Sequence, residues 1–319
     1  MSNQASTGVL VSGMVGIMEK SPLFVLVLSV MLSSQSQAVQ VLTTTGNTTP
    51  PADDPGFANV GQLNSASAVY LGNRWVMTAS HVGVGTVVFG GNSYAPTGPV
   101  TRLTNPDNSF TDLILFQISS DPGLPPLVIS PTAPVLGDDL VMIGNGANRN
   151  AFRSYYTVTV NPGPNNDTWT TAGGPGAGVK ELFLGAAGQA VRHGTNDVEF
   201  VNLNSDAGFG EVRSFATRFD DDPAGRPFEA QGVLGDSGAA VFRKAGMNWE
   251  LLGMTHAVGN TNNYDNIPGI PSTSIIGEST TFNADLNFYR SRILTIIPEP
   301  GSAALGSLAL LGLLRRRRV

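Results

Sequence analysis

Apolar residues in this chain come in short blocks separated by turn formers, and they seldom fall at helical spacing. The blocks span 66–71, 75–79, 86–89, 113–118 and 140–143, then 154–160, 181–184, 198–201, 212–219, 239–243 and 249–254. Between them stand Gly72-Asn73, Gly90-Gly91-Asn92, Asp121-Pro122-Gly123 and Gly137-Asp138. Short alternating or fully apolar runs bounded by such residues predict β-strands. No helical blocks alternate with them, so the pattern predicts an all-β body in two halves, each a barrel or a sandwich. The first half covers about 56–143 and the second about 144–296. Residues 39–55, rich in Thr, Pro and Asp, read as a linker or N-terminal arm. The stretch 172–178 reads as a flexible loop, since it lacks the Lys-Ser/Thr ending of a phosphate cradle.

The two ends follow other rules. Lys20 precedes an apolar run over 22–32, and Ser36-Gln37-Ala38 supplies a small-x-small ending. That order predicts a secretory signal over 1–38, with Met18 as the better start. The run is shorter than the roughly 20 apolar residues a membrane span needs. At the other end, Pro298-Glu299-Pro300 is followed by an apolar segment over 302–314 and by Arg315 to Arg318. This 297–319 segment resembles the PEP-CTERM sorting signal of Gram-negative bacteria. The resemblance implies transient anchoring in the inner membrane by an apolar segment. It also implies processing by an exosortase-type enzyme and delivery to the cell surface or extracellular matrix.

Composition narrows the chemistry. Setting aside Lys20, Arg315 to Arg318, Glu19 and Glu299 leaves 13 basic against 22 acidic residues, a body of about −9. Such a body has no basic stripe for phosphate backbones, so nucleic acid is not an expected partner. There is no cysteine, which excludes disulfides, metal thiolates and thiol nucleophiles. No His/Glu spacing suggests zinc, and Asp220 to Asp222 read as a solvated turn before a Ca²⁺ site. No cofactor and no metal are expected.

Only His81, His193 and His256 can supply an imidazole base. His81 ends an apolar strand behind the small residues Thr78-Ala79-Ser80, which let the backbone turn and set the ring in a cleft. Asp112 opens the apolar run Leu113-Ile114-Leu115-Phe116, where burial favours pairing with an imidazole N–H over hydration. Ser237 lies in Gly235-Asp236-Ser237-Gly238. Flanking glycines permit a tight turn that bares the hydroxyl and aims the N–H groups of Gly235 and Ser237 at one point, as an oxyanion requires.

Taken in their order, His then Asp then Ser, these motifs make the chain resemble the chymotrypsin/trypsin-like serine peptidases from about Phe57 to Ile293. Thr78-Ala79-Ser80-His81 stands for the family's Thr-Ala-Ala-His, and Asp112-Leu113-Ile114-Leu115 for its Asp-Ile-Ala-Leu type of segment. Gly144-Asn145-Gly146 falls where the link between barrels carries Gly-x-Gly, and Gly235-Asp236-Ser237-Gly238 matches in full. Ala239-Ala240 replace the usual Gly-Pro. The resemblance implies two six-stranded antiparallel barrels with the site in the cleft between them. It implies an endopeptidase acting on protein or peptide substrates, with Ser237 as nucleophile, His81 as general base and acid, Asp112 orienting it, and Gly235 and Ser237 as the oxyanion hole.

The family's activating N-terminus, an Ile-Val-Gly-Gly type of start, is absent. Either Val39, freed by signal removal, or a buried Arg would then face Asp236. The resemblance places the base of the substrate pocket at Gln231 and its wall at Thr255, His256 and Val258. A neutral base argues against a demand for Lys or Arg. His256 either holds a substrate carboxylate or is a wall histidine satisfied by backbone groups, and His193 reads as a loop or strand-edge residue. The competing reading is a catalytically silent surface-binding protein on the same fold. A structural matrix protein with a chance Gly-Asp-Ser-Gly is a further one.

Overall fold

The computed structural model describes residues 39–42, 47–163, 165–220, 228–260, 262, 267, 270 and 272–297. The expected signal segment and the apolar, arginine-tipped tail lie outside these residues, as do Asp221 and Asp222. Among the described residues no helix is long and apolar enough to cross a membrane.

Two seven-stranded antiparallel sheets form the body. The first runs Asn92–Tyr94, Val87–Phe89, Val60–Leu63, Ala66–Gly72, Trp75–Ala79, Phe110–Ile118 and Pro96–Thr104 in spatial order. Its two outermost strands are joined in the chain by Ala95 alone, so the sheet must curl until its ends meet. The second runs Arg192–Asp197, Asp139–Gly144, Ala240–Ala245, Asn248–Asn260, Ser279–Asp285, Val212–Arg218 and Phe200–Ser205. Here Val198 and Glu199 alone join the ends, and the same closure follows. Curling an antiparallel sheet brings its two edge strands together and shelters edges that would otherwise template pairing with other chains. This is the expected all-β arrangement of two packed antiparallel barrels. Each main sheet carries seven strands where six were expected; in the first, the short hairpin pieces Val87–Phe89 and Asn92–Tyr94 count separately.

A five-stranded sheet (Ala147–Arg149, Ser154–Thr159, Thr168–Thr171, Lys180–Gln189 and Thr273–Ile275) extends the second half. The helix Leu286–Ile296 closes the body, its N-terminus capped by the Asp285 side chain accepting from Phe288 N–H.

Three apolar clusters explain why the strands read as unbroken apolar runs. Val76, Phe116 and Tyr70 pack inside the first barrel, and Met142, Val241 and Leu252 inside the second. The opposite faces, with Met77, Leu113, Leu115, Ile143, Phe242 and Met254, meet in a third cluster that draws on both barrels. Val76 and Met77 are neighbours in one strand yet serve different clusters, as a period of two requires.

Two boundaries differ from the sequence reading. Residues 139–144 are a strand of the second barrel, so the connection between barrels is 119–138 and Gly144-Asn145-Gly146 lies beyond it. The apolar block 140–143 carries no mark of which sheet it joins. In the expected linker or N-terminal arm, the described residues 39–42 and 47–55 are tied to the body. Gln40–Val41 pairs antiparallel with Ala230–Gln231, and Val39 and Val41 are buried in the second barrel's cluster. Asn47 is buried against the backbone of His193, and Asp53 bonds to Lys244 and to Trp249 Nε1. The polar composition of this stretch is used for backbone pairing and surface bonds, so it conceals two buried valines.

Candidate active site

Ser80 N–H bonds the Asp112 carbonyl, which ties the end of the Trp75–Ala79 strand to the start of its neighbour Phe110–Ile118. This register puts His81 beside Asp112. The Asp112 carboxylate is 1% exposed and accepts twice from His81: from the backbone N–H at 2.9 Å, and at the ring Nδ1 at 2.7 Å. A carboxylate only accepts, so it holds the proton on Nδ1 and leaves Nε2 as the free base. Nε2 lies 2.8 Å from Ser237 Oγ, joining groups 156 positions apart in sequence.

The turn that presents Ser237 is built on glycine. Gly235 and Gly238 adopt φ of +95° and +89°, and a Cβ on Gly238 would stand 2.0 Å from the Ser67 carbonyl. Asp236 N–H is consumed by the Val233 carbonyl and Gly238 N–H by that of Thr255. The N–H groups of Gly235 and Ser237 carry no hydrogen bond among the described residues. Both flank a cleft of about 650 Å³ that also borders His81.

Ser67, overlooked in the sequence reading, locks this turn to the first barrel. Its N–H donates to the Ser237 carbonyl at 2.9 Å. Its hydroxyl donates to the Gly235 carbonyl at 3.0 Å and accepts from Asn145 N–H at 2.8 Å. A lone serine in the small run Ala66-Ser67-Ala68 gives no local sign of that role.

Asp236 is fully buried. Burial pushes its carboxyl up to about 7, against the Val233, Val39 and Gly146 N–H groups and the charge of Arg192. Val233 N–H donates to Oδ2 at 2.9 Å, while Oδ1 has no hydrogen bond of its own among the described residues. Gly144 and Gly146 make room for this group, since a Cβ on either would lie within 2.4 Å of a carboxyl oxygen. Val39 sits at φ +41°, a strained conformation for a β-branched residue.

The expected pocket residues are placed as follows. Gln231 is buried and pairs with Gln40, its side chain reaching the Thr280 carbonyl at 3.4 Å. Thr255 is buried and donates to Asn283 Oδ1 at 2.8 Å, and Val258 is 48% exposed. His256 is 2% exposed, with Nε2 at 3.1 Å from the hydroxyls of both Ser205 and Ser214. Burial pushes its pKa down to about 4, so the ring is neutral at pH 7. His193 lies in the outermost strand of the second sheet's order, between Phe57 and Phe228. Among the described residues no group of three His, Asp or Glu could hold a metal ion.

No protein-family model and no curated protein matches the sequence. Among solved structures the chain is similar to the Rv3671c protease of M. tuberculosis H37Rv in its inactive form. That pair has 16% identity over 76% of this chain and 91% of the other, with a TM-score of 0.40. It is also similar to neuropsin, a serine protease expressed in the limbic system of mouse brain. There the identity is 14% over 79% of this chain and 98% of the other, with a TM-score of 0.45. The two-barrel assignment stands on the strand pairing itself.

Proposed function

We propose that the chain is an exported serine endopeptidase. The observation that carries this reading is the continuous bonding from the Asp112 carboxylate through His81 to the Ser237 hydroxyl, at 2.7 and 2.8 Å. In the proposed reaction Ser237 Oγ attacks the scissile carbonyl carbon while its proton passes to His81 Nε2. The oxyanion takes up the unengaged N–H groups of Gly235 and Ser237. His81 then gives the proton to the leaving amine, and the C–N bond breaks to leave an acyl-enzyme. Water, deprotonated by the same imidazole, releases the acid and restores Ser237. Asp112 holds the tautomer throughout and faces the imidazolium.

The test is labelling by a fluorophosphonate probe, with and without the nucleophile. Ser237→Ala should abolish labelling and lower peptide turnover by a factor on the order of 10⁶ with the fold intact. Labelling of a different residue would end this reading.

Export would proceed through the 1–38 signal, and the 297–319 segment would bring transient membrane contact and exosortase-type processing. Cleavage after Ala38 would free the Val39 amino group where its N–H already faces Asp236. A new ammonium there would compensate a buried carboxylate that lacks a full set of partners, and would relieve the strained φ of Val39.

A further inference from the structure

One face of the His81 imidazole is covered by a ring that the reaction does not use. Phe209 stacks on it with ring centroids 4.6 Å apart and planes inclined by 28°. Phe209 is itself 47% exposed, so it lies over the imidazole at the surface of the cleft.

The ring is held in place from both barrels. Asp206 Oδ1 accepts from the N–H groups of Gly208, Phe209 and Gly210 at 2.7, 3.1 and 3.1 Å, which winds the loop around one carboxylate. Arg102 of the first barrel donates Nη2 to the Phe209 carbonyl and Nε to the Thr111 carbonyl at 2.7 Å, one residue before Asp112. Asn105 donates to the Glu211 carbonyl at 3.0 Å. Gly210 is packed so closely that a Cβ would lie 2.3 Å from the Phe110 carbonyl.

The cleft is therefore lopsided. On one side of His81 it opens over Asn64, Val82, Leu234 and Gly235, which border the space of about 650 Å³. Phe209 does not border that space and instead covers a face of the His81 ring. Its loop leaves the Phe200–Ser205 strand at Ser205, which bonds His256 next to the exposed Val258. On the peptidase reading, the acyl part of a substrate would pass over this covered face of the ring.

Resting on the peptidase reading, we propose that Phe209 is a specificity-determining residue. It fills the space beside the imidazole where the residue preceding the attacked one would place its side chain. The enzyme therefore favours substrates with Gly, Ala or Ser at that position and disfavours Leu, Phe or other bulky residues there.

The experiment uses the secreted protein and a fluorogenic peptide library fixed at that one position and randomised at the others. The wild type should cleave the Gly and Ala members at least about tenfold better than the Leu and Phe members, in kcat/KM. Phe209→Ala should shift the bulky-to-small ratio by at least about tenfold toward the bulky residues, mostly through KM. Phe209→Leu serves as the second variant should the alanine protein melt early, and should shift the ratio the same way by less. An unchanged ratio in a variant that melts like the wild type overturns the proposal, as does a wild type that cleaves bulky members equally well. Fluorophosphonate labelling of Ser237 without cleavage of any member overturns it as well. A wild type unlabelled at Ser237 defeats the peptidase reading itself, and the proposal with it.

Discussion

Asp112 and Asp236 show how one side-chain type takes two roles by its surroundings. Asp112 is buried but meets two donors from a single partner residue, His81. Asp236 is buried too, but desolvation outweighs the backbone N–H groups and the Arg192 charge that favour its ionised form, and so lifts its pKa. Gly144 and Gly146 are small because a carboxyl group occupies the volume their side chains would need. Ser67 does comparable positioning work by bonding three separate segments at once. Ser67→Ala removes the bonds to Gly235 and Asn145 and leaves buried backbone groups unpaired. It should cost roughly 1–3 kcal/mol of stability and lower kcat about tenfold with little change in KM. Urea melts and steady-state kinetics on the same preparation would check both figures.

The strands Ala66–Gly72, Trp75–Ala79 and Phe110–Ile118 are buried on both faces, one inside a barrel and one against the other barrel, which explains their continuous apolar runs. The long strand Asn248–Asn260 departs from this regularity at a bulge between Thr255 and Ala257, where His256 turns its ring into the protein. A ring held neutral by burial has a pH signature. With a folded pKa lowered to about 4 against 6.5 unfolded, only the unfolded chain binds the proton between those values. The stability from this residue is thus complete above pH 6.5 and is lost as the pH falls toward 4. His256→Gln should remove that slope, so the wild type should lose roughly 3 kcal/mol relative to the variant across this window. Denaturant titrations of both proteins at several pH values would measure the difference.

Closure of each barrel depends on joining the first and last strands of a sheet by one or two residues. The interface between barrels then brings His81 and Asp112 to face Ser237. The amino-terminal strand joins this assembly late in its logic, because Gln40–Val41 pairs with the segment just before the Ser237 turn. If Val39 acts as the new N-terminus, a protein beginning at Val39 should react faster with a fluorophosphonate than one with a blocked or extended amino group. The expected ratio is on the order of 10², the effect of leaving a buried charge uncompensated. Equal rates for the two forms would assign the compensation of Asp236 to Arg192, whose charge already bears on it.

Much of the candidate site was legible in the chain itself. Runs of alternating and apolar residues marked strands, and the scarcity of histidine left His81 few rivals as a base. Gly235 and Gly238 announced the tight turn because only glycine tolerates those φ values. What local pattern could not contain was partnership at long range. Nothing near residue 140 says which sheet it enters, nothing in 39–41 shows that it will be buried, and Ser67 looks like any small residue of a strand. Phe209 left a faint trace as an aromatic between two glycines, yet its place over His81 exists only once the two barrels meet. Propensity and periodicity act over a few neighbouring residues, whereas strand pairing and side-chain packing select partners a hundred or more positions away, and there the tertiary structure decided.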